Sequence, residues 1–229
     1  MEKLKRTIDT IHSVIENTYA IDSGIEDITD FLMAEDVYRE LEDDVVTRVP
    51  YDDSARVYVT IDGEDALLGM YLSEELRDAI EEHDPLRTGI TEKTLPVISV
   101  LTEEIDHLLM LGYSLTHEKP TSLLELELQA NVSKCLLVRN MVARQQGTYP
   151  RIDKEARKEV DEYILHTDFA EPENLIQLRY QDAARFAKGF MSYFDELPRQ
   201  QKPGELAAFY RLTPPQKINR VRRNAAFDL

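Results

Sequence analysis

Apolar residues recur along most of this chain at alternating steps of three and four, the spacing that lines one face of an α-helix. In residues 1–17, Leu4, Ile8, Ile11 and Ile15 follow it. Ile21, Ile25, Ile28, Phe31 and Leu32 form a second set, and Asp22-Ser23-Gly24 predicts a break between the two. Residues 35–44 are dense in acid around Val37, Tyr38 and Leu41, a pattern that reads as a solvated helix face. Pro50 and Tyr51-Asp52-Asp53-Ser54 mark a loop and a boundary.

The period then shortens to two. Arg56-Val57-Tyr58-Val59-Thr60-Ile61, an Asp62-Gly63 turn, and a second run ending Met70-Tyr71-Leu72 predict a β-hairpin. Ser73 with Glu74-Glu75 predicts a capped helix that ends near His83-Asp84-Pro85. Residues 86–93, with Gly89, read as a polar loop. The next helix is expected from Thr94-Leu95-Pro96 to a stop at Gly112, followed by a loop from Tyr113 to Pro120. Ser122 and Glu125 have capping-box spacing at the start of a helix that should reach Gln145, before Gly147 and Pro150. Asp153 opens a helix through His166, and Pro172 opens a long one. In that last helix Ile176, Tyr180, Ala183, Ala187, Phe190, Phe194 and Leu197 form a packing seam, for the core or for a homodimer through residues 176–197.

The predicted fold class is α+β and mainly helical: a small β-hairpin on a central helix pair, with N- and C-terminal helical extensions. The segments are an N-terminal helical stretch (1–50), a core holding the hairpin and helix pair (51–149), and a C-terminal helical extension (150–229). An apolar fraction of 42% with 31% charged residues describes a globular protein with no run long enough to span a bilayer. The single cysteine, Cys135, permits no internal disulfide and, with no signal-peptide pattern at Met1-Glu2-Lys3, makes the cytoplasm the expected location.

Charge sharpens the picture of partners. The net charge of -17 is concentrated in residues 1–130, which carry 31 acidic against 10 basic side chains. An acidic surface of this kind repels nucleic acid; it reads as a well-solvated face, as a surface for a basic protein partner, or as a nucleic-acid mimic. Lys217, Arg220, Arg222 and Arg223 near the other end are as well placed to meet the chain's own acidic half as to meet a ligand.

Two stretches put ionisable groups where core is expected. At 100° per residue along Thr102-Glu103-Glu104-Ile105-Asp106-His107-Leu108-Leu109-Met110, Glu104 falls inside the face made by Val97, Leu101, Ile105 and Leu108. His107 lies on its flank, Glu103 stands one turn before His107, and Asp106 points away. On the following helix Leu124, Leu128, Cys135, Val138 and Val142 form a stripe with Glu127 and Asn131 at its edge, while Glu125 and Gln129 fall on the opposite, polar side. A buried carboxylate requires a partner. Glu104, His107 and Glu127 therefore predict a divalent-metal site with a general base, a buried Glu–His ion pair, or plain placement at the surface.

Together the stretches resemble a known family. Glu103-Glu104-Ile105-Asp106-His107 is similar to the H-E-x-x-H helix of zincin metallopeptidases with its first histidine replaced by Glu103. The step from His107 to Glu127 is similar to gluzincin spacing, and Glu127-Leu128-Gln129-Ala130-Asn131 with Leu136-Leu137 resembles the E-x-E-A-N…L-L segment of ImmA/IrrE-type peptidases. The resemblance covers residues 55–145. It implies Glu104 as general base acting on water at a metal, with His107, Glu127 and, in the altered position, Glu103 as ligands. Asp106 replaces the family's usual glycine. A Glu/His/Glu set is harder and more anionic than zinc prefers, which leaves zinc, manganese, iron or no metal as the expectation. The implied protein is a catalytically degenerate or metal-altered zincin with a regulatory or binding role, and a metallopeptidase-like hydrolase if active. The alternative is an acidic, non-enzymatic domain that binds a basic partner through residues 22–84. A ferritin-like reading of Glu104-x-x-His107 lacks a second such motif. Tyr149, Tyr163 and His166 are the downstream candidates for oxyanion stabilisation; His12, His83 and His117 read as surface residues.

Overall fold

The computed structural model describes residues 2–44, 54–62, 65–166 and 174–224. Helix α1 (Glu2–Tyr19) buries Leu4, Ile8, Ile11 and Ile15, as their spacing requires. His12, read above as a surface residue, is buried on the same helix, with Nε2 3.4 Å from Glu16 one turn on. A 3-10 turn at Ile28–Phe31, capped by Asp27, leads to α2 (Glu35–Asp44). There Val37 is exposed and Tyr38 is buried, stacked on Tyr71.

Strands β1 (Ala55–Asp62) and β2 (Asp65–Leu72) form the expected antiparallel hairpin, with Ala55 opposite Leu72 and Asp62 opposite Asp65. Gly63 of the predicted turn lies outside the described residues, as does the predicted boundary at Pro50 and Tyr51-Asp52-Asp53. Met33 donates its N–H to the Met70 carbonyl, and its side chain lies against Gly69 of β2. Both strands of the hairpin pack on the helix at Thr94–Thr116.

Ser73 caps α3 (Glu74–His83) by accepting from the Leu76 N–H. The expected polar loop over residues 86–93 instead begins with a helical turn, α4 (Pro85–Thr88). Pro85 has the φ that a first helical position needs, and the Asp84 carbonyl accepts from Arg87 and Thr88.

The centre is α5 (Thr94–Thr116) packed along α6 (Leu123–Gln145). α5 does not stop at Gly112. A Cβ there would lie 2.8 Å from the Ser23 carbonyl oxygen, so this glycine serves close backbone approach, and the helix continues through Tyr113–Thr116, where a loop was expected. Ser122 caps α6 as predicted, accepting from the Glu125 N–H.

Helix α7 (Lys154–Ile164) is capped by Asp153 and ends short of the predicted His166. α8 (Leu175–Glu196) begins after an Asn174 cap; Pro172, its predicted start, lies outside the described residues. α9 (Lys202–Arg211) and α10 (Pro214–Asn224) complete the fold. α7, α8 and α10 pack on α6, while α1 and α3 pack on α5. Much of the α8 seam is filled from within the chain: Ala183, Ala187, Phe190 and Phe194 are buried, Phe190 stacks on Phe209 at 3.9 Å, and Ile176, Tyr180 and Leu197 are half-buried. One hydrophobic cluster runs from Leu4 to Val221 and draws on all three segments read from the sequence. Among the described residues no helix is long and apolar enough to cross a membrane.

Candidate metal centre

α5 and α6 run side by side, so residues at helical spacing on their facing flanks converge. Glu103 and His107, one turn apart on α5, meet Glu127 of α6: one potential ligand atom from each lies within 4.8 Å of the others. His107 Nε2 is 3.9 Å from Glu127 Oε2, and its Nδ1 is 3.9 Å from Glu104 Oε2. All four site residues predicted from the sequence thus share one place. They line a cleft of about 550 Å³ whose walls include Val57 and Val59 of β1.

Two cationic residues, Lys134 and Arg179, complete the cluster. Lys134, seven residues after Glu127 and on the same face of α6, donates from Nζ to Glu103 Oε2. Arg179 of α8 places Nε 3.9 Å from Glu127 Oε1, with Tyr180 beside it in the cleft. Burial opposes the charge on His107, but Glu104, Glu127 and Glu103 outweigh it and hold the imidazole pKa at about 9. Burial, with Glu103 adding repulsion, pushes Glu127 up to about 7 against the pull of His107, Arg179 and Lys134. Burial works the same way on Glu103, but there Lys134 and His107 prevail and its pKa is lowered. Among the described residues His107 Nε2 has no hydrogen-bond partner although the residue is 9% exposed. A buried ring nitrogen 3.9 Å from Glu127, without a hydrogen bond of its own, offers a cation a ligand atom once the ring has lost its proton.

The opposite sides of both helices are not solvated, which corrects the helical-wheel reading. Asp106 is fully buried and accepts at Oδ1 from Ser133 Oγ at 2.8 Å; Tyr19 Oη lies 2.8 Å from the same hydroxyl. Glu125 and Gln129 are buried too, because α10 folds over that side of α6 and inserts Lys217 between them. The expected contact of the C-terminal cations with the acidic half is therefore made by Lys217; Arg220 pairs with Glu205 nearby in sequence.

No family model, curated protein or solved structure matches this chain. The zincin resemblance rests on the motif residues alone.

The downstream residues expected to meet a substrate lie away from the cleft. Tyr149 and Tyr163 are half exposed, and His166 lines a separate hollow with Lys154 and Asp195. None of the three reaches the cleft. Arg179 and Tyr180 do, and the periodicity that marks Tyr180 as seam gives no sign of it. Lys134 carried a legible signal in its seven-residue step from Glu127. A larger groove of about 1210 Å³ runs along α1, but it gathers no comparable set of ligand atoms.

Proposed function

We propose that this chain is a zincin-like protein with altered metal chemistry, which holds a divalent cation on Glu103, His107 and Glu127 in a regulatory or binding role. One observation carries the reading: three ligand atoms from adjoining helices converge within 4.8 Å around a buried imidazole nitrogen that has no other partner. Two carboxylates and one imidazole make a donor set that suits manganese or ferrous iron better than zinc. Glu104 stands on the Nδ1 side of the ring, 3.9 Å from Nδ1, where a carboxylate orients the imidazole and makes Nε2 the ligand atom once the ring gives up its second proton. Arg179 restrains Glu127 from the far side, and Val57 and Val59 give the cleft an apolar wall. A divalent ion bound there would supply Lewis acidity to a ligand entering the cleft.

Metal analysis of untagged protein tests the reading. Stoichiometric manganese or iron, lost in both His107→Ala and Glu127→Ala, is the expected result. Absence of any divalent ion after reconstitution would sink the proposal and leave the cluster a buried ion-pair network. A peptidase assay on the loaded protein separates a binding role from a hydrolytic one.

A further inference from the structure

The geometry points to Lys134 as a resident cation that a divalent ion has to displace from Glu103. This inference rests on the metal reading above and concerns how that site is regulated. Lys134 reaches into the cluster from α6 and bonds to Glu103 Oε2, with a side chain only 11% exposed. In this arrangement the ammonium neutralises Glu103, and Arg179 stands 3.9 Å from Glu127. The metal-free cluster is therefore not a bare acidic pocket, and the protein can hold its ligands together without an ion.

The ammonium leaves part of the site unserved. Lysine donates and never accepts, so it satisfies the carboxylate but gives the His107 ring no ligand in common with Glu127. Nε2, in a residue 9% exposed, has no bond and lies 3.9 Å from Glu127. A divalent ion would engage Glu103, His107 and Glu127 together. It would then share Glu103 with the ammonium, and two cations on one partly buried carboxylate repel each other. The ion must overcome this repulsion by moving the lysine aside. A monovalent ion gains nothing from such an exchange, because it replaces one positive charge with another. Lys134 thus lowers the affinity of the site and biases it against sodium and potassium.

Manganese titrations of the full chain, followed by electron paramagnetic resonance of free Mn²⁺, test the inference in wild type, Lys134→Met and Lys134→Arg. Lys134→Met is expected to bind Mn²⁺ at least ten-fold more tightly than wild type, and Lys134→Arg no more tightly. Thermal unfolding guards against a folding artefact: Lys134→Met should melt lower without metal and gain more from Mn²⁺ than wild type does. If Lys134→Met does not fold, Lys134→Gln is put through the same comparison. Wild-type binding that removal of the charge fails to tighten overturns the displacement role alone. No Mn²⁺ binding by any variant overturns the metal reading and this inference with it.

Discussion

Lys217 of α10 and Glu125 of α6 lie 3.0 Å apart, and neither side chain reaches solvent. The pair is not isolated. Lys217 also donates to Gln129 Oε1 at 2.8 Å, and Glu125 accepts from Lys119 at 2.6 Å. Removing the carboxylate strands the buried ammonium, whereas removing the lysine leaves Glu125 with Lys119. Glu125→Ala should therefore cost about 3–5 kcal/mol and Lys217→Met about 1–3 kcal/mol, as read from urea unfolding. Burial lowers the Lys217 pKa to about 8 despite Glu125. The unfolded chain then binds the extra proton between about pH 8 and the ordinary lysine value, so this group's contribution to stability rises with pH across that window and is lost as pH falls through 8. Lys217→Met should abolish that rise; an unchanged pH profile in the variant would remove Lys217 as its source.

The opposite sign applies to Asp106. Burial pushes its carboxyl up to about 6, in spite of the hydrogen bond from Ser133 and the attraction of His107, Lys217 and Lys134. The folded state keeps the proton to higher pH than the unfolded state, so stability from this group is full below the ordinary aspartate value and is lost as pH rises through 6. Asp106→Asn keeps an acceptor for Ser133 and replaces Oδ2, which has no hydrogen-bond partner among the described residues, with a neutral amide. At pH 7 the variant should be more stable than wild type by roughly 1–3 kcal/mol, and the difference should vanish near pH 4. Thermal melts at the two pH values check both parts.

Both predictions concern groups that a single-helix reading sends to water, and the reason is physical. Local spacing fixes which side chains share a helix face, so the hairpin, the two central helices and the convergence of Glu103, Glu104, His107 and Glu127 were legible in the sequence. It does not say how many faces are covered. α5 is overlaid by α1 and α3, and α6 by α7, α8 and α10, so Asp106, Glu125 and Gln129 are buried with partners drawn from distant segments. Arg139 is another such case: it stands on α6, donates to Asp161 of α7 at 2.7 Å and to Asp195 of α8 at 3.0 Å, and no window of sequence connects the three. Arg179 and Tyr180 enter the cleft for the same reason, since only the packing of α8 on α6 brings them there.

Gly112 shows how one residue supports two opposite readings. Glycine commonly ends a helix, yet here α5 passes through it, and the residue leaves room for the Ser23 carbonyl oxygen, which a Cβ would meet at 2.8 Å. Gly112→Ala gains about 1 kcal/mol of helix propensity. It also sets a methyl group 2.8 Å from a backbone oxygen and about 3 Å from Ile25, and a backbone contact cannot swing aside as a side chain can. The net effect should be a loss of about 1–3 kcal/mol, seen as a lower melting temperature with an unchanged helical circular dichroism signal. A stabilised variant would show that the loop holding Ser23 yields freely.

The last prediction concerns the proton that the candidate metal centre must release. The carboxylates hold the His107 pKa at about 9, so the ring is protonated at neutral pH. Nε2 ligates only as a neutral imidazole, and each ion bound therefore expels one proton. Divalent-metal affinity should rise by about ten-fold per pH unit from 7 to 9 and level off above that. Below pH 7 the slope should steepen, because Glu127, pushed up to about 7, must lose its proton as well. Calorimetric Mn²⁺ titrations in buffers of different ionisation enthalpy count these protons directly. His107→Ala should weaken binding and lose the slope between pH 7 and 9. A wild-type affinity that stays flat over that interval would take Nε2 out of the ligand set.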